Sequence, residues 1–215
     1  MIPSVAIMSV GFAAQIFFSA RILVQWILSE RAKQVLSPAI FWIFSICGSY
    51  LMCVYGWLRT DFSIIFGQFI AYYIYLWNLR MKGVMRKIPR PTRILLYIIL
   101  YITPVVAAVA AIFSNSEPNT VFINFFANDD IPKWLIIYGS LGQFTFTMRF
   151  IYQWFYSYRK KESILPTGFW ILSICGSLSI VIYGIIRHDI VLIIGQSFGL
   201  VAYIRNVFIG RIKKI

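Results

Sequence analysis

The sequence predicts an all-α integral membrane protein. Seven transmembrane helices form two parallel three-helix bundles joined by one linker helix, a 3+1+3 plan. Three observations carry this expectation. The 215 residues are 60% hydrophobic and only 13% charged, with a mean hydropathy of +0.78. A soluble domain carries about 25% charged residues, so the apolar excess must face lipid. The chain also repeats itself at a constant offset of 128 residues, with Gln15 recurring as Gln143 and no gap needed. Finally, the basic residues gather between alternate apolar stretches.

A helix needs about 20 mostly apolar residues to cross the hydrocarbon core. Seven stretches qualify: Val5–Leu28, Pro38–Leu58, Phe62–Leu79, Thr92–Phe113, Lys133–Tyr156, Thr167–Ile186 and Ile190–Ile209. The third and seventh are short, which predicts tilt or local thinning. Arg31 and Lys33 follow the first stretch, Arg80 to Arg93 the third, Arg159 to Lys161 the fifth, and Arg211 to Lys214 the last. The positive-inside rule therefore places the N-terminus outside and the C-terminus in the cytoplasm. The Met-Ile-Pro-Ser start lacks a basic n-region, so the first span is expected to be retained rather than cleaved.

The repeat runs from Gly11–Asn78 to Gly139–Asn206, with about 27 of 68 aligned positions identical. Such self-similarity marks a duplicated structural unit. The expected division is 1–82 for the first repeat, 83–132 for a basic loop, linker helix and outer loop, and 133–215 for the second repeat. Three helices per copy would invert the second copy, and the linker span Thr92–Phe113 restores a common direction. Parallel repeats are a known transporter plan, with the site near the midplane between them.

Polar residues inside the spans then need explaining. Arg21 lies roughly 10 Å inside the cytoplasmic end of its span, where an arginine is costly. It snorkels to headgroups, or it contacts an anion inside a cavity. The second reading is favoured because Gln25 shares its face, with Gln15 further along. Arg149, Gln153 and Gln143 repeat the set, and two guanidinium forks suit a phosphate. Gln68, Gln196, Asn78 and Asn206 read as interhelical hydrogen-bond glue or as sugar contacts. Tyr75 and Tyr203 join the candidate substrate-binding set. Trp26, Trp42, Trp154 and Trp170 fit an aromatic belt, with their stacking on a sugar ring as the sharper alternative; Trp26 and Trp154 join the candidate substrate-binding set. Asp61 and Asp189 are N-cap candidates; with Arg59 and Arg187 they are also candidates for gating or coupling.

Other chemistry is not indicated. Cys47, Cys53 and Cys175 lie in apolar spans and read as buried packing residues. The one histidine, His188, has Thr60 as its counterpart. No metal spacing, nucleophile elbow or phosphate loop appears, so no metal, cofactor or enzymatic activity is expected. Nucleic acid is not expected as a partner either.

Gly11-x-x-x-Gln15, Arg21-x-x-x-Gln25-Trp26-x-x-Ser29-Glu30, Pro38-x-x-Phe41-Trp42, Tyr55-Gly56-x-x-Arg59-x-Asp61, Gly67-Gln68 and Tyr75-x-x-Asn78 resemble the lipid A biosynthesis N-terminal domain family. The second copy carries the same pattern. The first copy departs at Trp77, where the family has arginine, as at Arg205. The second has Tyr158 in place of Glu30. The resemblance implies kinship with the SWEET, semiSWEET and PQ-loop transporters, and a place in the bacterial inner membrane. It also implies partners: membrane lipids, a lipid-linked sugar of polyprenyl-phosphate type or a glycolipid precursor, and a glycosyltransferase. The domain also stands ahead of some lipid-A-disaccharide synthases, whose chemistry is not expected here because their catalytic domain is not in this sequence.

The leading functional expectation is a flippase-like translocator of a lipid-linked saccharide for envelope or lipid A glycosylation. A SWEET-like carrier of a soluble sugar and a non-transporting glycosyltransferase subunit are the alternatives.

Overall fold

The computed structural model describes residues 4–58, 62–114, 132–188 and 190–212. Arg59, Asp61 and Asp189 lie outside these residues. Seven α-helices are found among the described residues: α1 (Ser4–Ala32), α2 (Ala39–Leu58), α3 (Phe62–Met81), α4 (Arg90–Ser114), α5 (Lys133–Lys160), α6 (Thr167–Ile186) and α7 (Ile190–Ile212). A short 3-10 turn, Val84–Lys87, separates α3 from α4.

The repeat is visible in the backbone. α1 and α5 end at Ala32 and Lys160, α2 and α6 start at Ala39 and Thr167, and α3 and α7 start at Phe62 and Ile190. Each pair differs by the sequence offset. α3 has 20 residues and α7 has 23, about 30 and 35 Å at 1.5 Å per residue. The basic side chains that closed the apolar windows, Arg80 and Arg211, sit in the last turns, where cations suit the helix dipole.

Among the described residues, Ala6–Ala32 and Thr167–Ile186 are long and apolar enough to cross a membrane, and Ala39–Tyr55 is a shorter apolar stretch. Large apolar side chains face outward, including Phe12, Ile16, Leu141, Phe144 and Ile194. In water such surface is a liability; against acyl chains it costs nothing.

The chain parts into two compact units, Met1–Arg21 with Ala39–Phe122 and Ile22–Pro38 with Ile123–Ile215. The boundary falls inside α1, between Arg21 and Ile22. In the first unit α2 packs on α3, and α4 packs on both. A Cβ on Gly48 would meet the Phe18 ring at 2.7 Å, so α1 approaches α2 closely there. In the second unit α6 packs on α5 and α7. A Cβ on Gly176 would lie 2.7 Å from the Phe146 backbone.

Each unit has the same aromatic core. Phe41 meets Trp42 edge-on at 4.8 Å, and Phe169 meets Trp170 at 4.9 Å. Trp42 then leans on Tyr75 and Trp170 on Tyr203, both at 6.0 Å. Trp42 is fully buried and Trp170 nearly so. The belt reading of these two tryptophans is therefore corrected: the rings point into the bundle and serve as packing. Trp26 and Trp154 are half-buried. The cysteine reading is corrected in part, since Cys53 is buried but Cys47 is half-buried and Cys175 exposed.

Candidate functional site

Arg21 and Arg149 are held inside their units. Arg21 donates from one terminal nitrogen to the Ser45 hydroxyl at 3.0 Å and the Tyr75 hydroxyl at 3.1 Å. Arg149 donates to Ser173 at 3.3 Å and Tyr203 at 3.2 Å. The serines are fixed in turn, each donating to a carbonyl one turn back, Phe41 and Phe169, at 2.6 Å. Rings surround both cations. The Arg21 guanidinium lies over Phe18, Phe41 and Tyr75, and that of Arg149 over Phe146 at 3.4 Å as well as Phe150, Phe169 and Tyr203. Ring faces and hydroxyl dipoles replace part of the lost hydration. Both arginines are buried inside their units.

Gln25 and Gln153 act one turn further on. The Gln25 amide donates to the Ser29 hydroxyl at 2.9 Å and to the Leu36 carbonyl at 3.2 Å. Gln153 does the same to Ser157 at 2.8 Å and Ile164 at 2.9 Å. Ser29 also accepts from the Leu36 N–H, as Ser157 does from Ile164. Each Gln–Ser pair thus ties the connection to the next helix back onto its own helix. The turn itself is left-handed at Lys33 (φ 51) and Lys161 (φ 53). Gln34 and Glu162 N–H groups close it on the Ser29 and Ser157 carbonyls, at 3.2 Å each.

The second unit carries a further cluster. Gln25 and Asn206, both fully buried, form a reciprocal amide pair. Gln25 donates to Asn206 Oδ1 at 2.8 Å, and Asn206 donates to Gln25 Oε1 at 3.1 Å. Asn206 also donates to the Ala202 carbonyl at 2.8 Å. Next to this pair, Arg205 makes a fork to Glu30, with contacts of 2.8 and 2.6 Å, and Lys33 adds a third contact at 3.1 Å. Glu30 stands in the last turn of α1, past the apolar stretch ending at Leu28. Hydrogen bonds from Arg205, then Lys33, hold its carboxyl down from 4.5 to about 2.

The remaining candidates are distributed. Gln68 accepts from Ser49 at 3.0 Å and Gln196 from Ser177 at 2.7 Å. Asn78 donates to the Ile74 carbonyl at 2.8 Å. Gln15 and Gln143 are exposed and stand apart from the buried arginine clusters, because a separation of six residues turns them to another face. Arg187 is exposed in the turn after α6. The arrangement therefore joins Arg21 to Tyr75, Arg149 to Tyr203, and Gln25 to Asn206. The signal for these partners is their recurrence, since Ser29, Ser45 and Ser49 recur at Ser157, Ser173 and Ser177.

A helical repeat with stretches long and apolar enough to cross a membrane, and with a buried Arg–Ser–Tyr node in each copy, defines a tandem-repeat all-helical protein. The chain belongs to the lipid A biosynthesis N-terminal domain family, whose model matches residues 10–80 and again 138–208. Three curated relatives are named lipid-A-disaccharide synthase. That of Chlamydia abortus is 32% identical over 92% of this chain and 32% of its own length. That of Chlamydia caviae is 30% identical with the same coverage. That of Chlamydia pneumoniae is 31% identical over 96% of this chain and 34% of its own length. The chain spans about a third of the length of the curated relatives it matches. No solved structure matches it.

Two expectations are overturned by these relatives. The translocator reading, with its soluble-sugar alternative, gives way because the relatives carry the name of a lipid A biosynthetic enzyme and not of a transporter. The expectation of no enzymatic activity gives way on the same finding, since the relatives carry the name of an enzyme. Kinship with the SWEET and PQ-loop groups finds no support among the relatives or among solved structures. The physical source of the error is the repeat: parallel three-helix copies are an architecture, and architecture does not determine activity.

Proposed function

We propose that this chain is the membrane-embedded portion of a lipid-A-disaccharide synthase and engages the lipid-linked sugar on which that enzyme acts. The observation carrying this reading is the similarity to synthases across both repeats, over 92% of the chain. The reading includes seven membrane spans in the inner membrane, with the N-terminus outside and the C-terminus in the cytoplasm. The outward apolar side chains and the placement of basic residues support it.

The buried nodes divide the work. Arg21 and Arg149 brace Tyr75 and Tyr203, while Gln25 and Gln153 brace the connections at the helix ends. The exposed mid-helix amides of Gln15 and Gln143 are the groups that meet sugar hydroxyls, since an amide facing lipid needs a polar partner. Trp26 and Trp154 are half-buried and offer ring faces. An apolar groove of about 360 Å³ in the first unit, edged by Phe17, Tyr50 and Ile99, has the size and lining to take an acyl chain.

The test uses membranes from matched cells with and without this chain, supplied with radiolabelled lipid-linked sugar. Disaccharide formation should fall when the chain is removed and fall again in Gln15→Leu/Gln143→Leu, with protein levels unchanged. Equal synthesis with and without the chain would refute the proposal.

A further inference from the structure

The connection between α3 and α4 carries six basic residues, Arg80, Lys82, Arg86, Lys87, Arg90 and Arg93, within 14 positions. No acidic residue stands anywhere between Asp61 and Glu117. The corresponding stretches after α1 and α5 differ, because Glu30 and Glu162 stand among their basic residues. Orientation in a membrane requires only a count of positive charges near helix ends. It does not require that the segment bearing them be folded.

This segment is folded. The Lys82 N–H bonds the Asn78 carbonyl and the Gly83 N–H the Arg80 carbonyl, both at 3.0 Å. Gly83 turns the chain at φ 68, a conformation that costs glycine little. The 3-10 turn then closes through Arg86 N–H to Gly83 at 3.0 Å and Ile88 N–H to Met85 at 3.4 Å. Met85 is buried and anchors the turn in the first unit. The Arg93 N–H bonds the Pro89 carbonyl at 2.9 Å as α4 begins. Arg86 and Arg90 are exposed and Arg93 half-exposed.

The placement is electrostatically unfavourable by itself. Arg90 and Arg93 stand in the first turn of a 25-residue helix that has no acidic residue there. Cations at that end oppose the helix dipole. An ordered cluster of like charge of this kind is stabilised by an anion. The guanidinium fork matches phosphate, and basic clusters of this size next to a membrane helix bind anionic headgroups.

We propose that the α3–α4 connection is a binding site for the phosphate of an anionic lipid headgroup, with Arg86, Arg90 and Arg93 as donors. The site stands on the charge and fold of this segment and does not depend on the synthase reading. The test reconstitutes the full chain into zwitterionic nanodiscs with and without phosphatidylglycerol and reads retained lipid by native mass spectrometry. Phosphatidylglycerol should be retained over the zwitterionic lipid. R86Q/R90Q/R93Q should weaken that retention on the order of 100-fold. The charge-keeping R86K/R90K/R93K should keep most of it, and raised salt should weaken wild-type retention. Should the triple glutamine variant not insert, Arg86→Gln alone, on the turn outside the helix, should weaken retention about fivefold. Equal retention of the two lipids, or retention unchanged by Arg86→Gln and by the triple variant, overturns the proposal. Millimolar inorganic phosphate raising the thermal stability in zwitterionic discs as much as phosphatidylglycerol does would move the ligand to free phosphate and overturn the headgroup assignment.

Discussion

Gln25→Leu removes one side of the reciprocal amide pair in the second unit. The Gln25 amide has two N–H groups and three acceptors in reach: Ser29 at 2.9 Å, the Leu36 carbonyl at 3.2 Å and Asn206 Oδ1 at 2.8 Å. Its oxygen accepts from Asn206 at 3.1 Å. Leucine keeps the volume and strands Asn206 Oδ1, one Asn206 N–H and the Leu36 carbonyl. Asn206 retains its bond to Ala202. A buried polar group left unsatisfied costs about 1–3 kcal/mol in water-based series. Pairs within membranes average about 0.6 kcal/mol and reach about 1.7. The lower values apply, because the unfolded chain in lipid also finds partners. The single variant should lose about 2 kcal/mol, summing three groups near about 0.6 kcal/mol each. Asn206→Leu should cost a similar amount, but Gln25→Leu/Asn206→Leu less than the sum of the two by about 1–2 kcal/mol. Reversible unfolding by sodium dodecyl sulfate in mixed micelles measures all four states. Additivity to within about 0.5 kcal/mol would refute the coupling and with it the view that these amides fix α1 to α7.

Further expectations rest on separate features. Gly176→Ala should cost about 1–3 kcal/mol, as overpacked sites do, because the added methyl meets backbone 2.7 Å away; a midpoint equal to wild type in the same assay would contradict the close approach. Lys161→Gly should stabilise by about 1 kcal/mol, since glycine adopts the left-handed turn that lysine strains to reach; a lowered melting temperature would argue against that turn. Glu30→Gln bears on pH. The folded pKa of Glu30 is depressed from 4.5 to about 2, so the ion pair's contribution is fully present above pH 4.5 and lost as pH falls toward 2. Wild type should therefore exceed the variant in stability at neutral pH and converge with it near pH 2, as read by thermal melts across that window.

Much of the fold was legible because its signals are local. Apolar runs of membrane length reveal helices wherever they occur, and the repeat offset transfers from letters to helix ends without change. Burial direction was less legible. Trp42 and Trp170 sit at positions where a belt is expected, and only packing against Tyr75 and Tyr203 shows that they face inward. Gln15 looked like a companion of Arg21 in a list of polar residues, but six positions along a helix do not share a face. Arg149 and Arg21 were recognisable as costly, and their partners were not, because Ser45 and Tyr75 lie 24 and 54 residues from Arg21.

Glu30 and Arg205 show the division most clearly. From the sequence each is an oddity, an acid in the first copy where the second has Tyr158, and an arginine in the second where the first has Trp77. The fold makes them a single fork across 175 residues of chain. The sequence by itself determined the helices and the duplication, both properties of neighbouring residues and their periodicity. Tertiary structure alone decided which side chains meet, since a contact between distant segments depends on how two helices pack, and no local pattern encodes that.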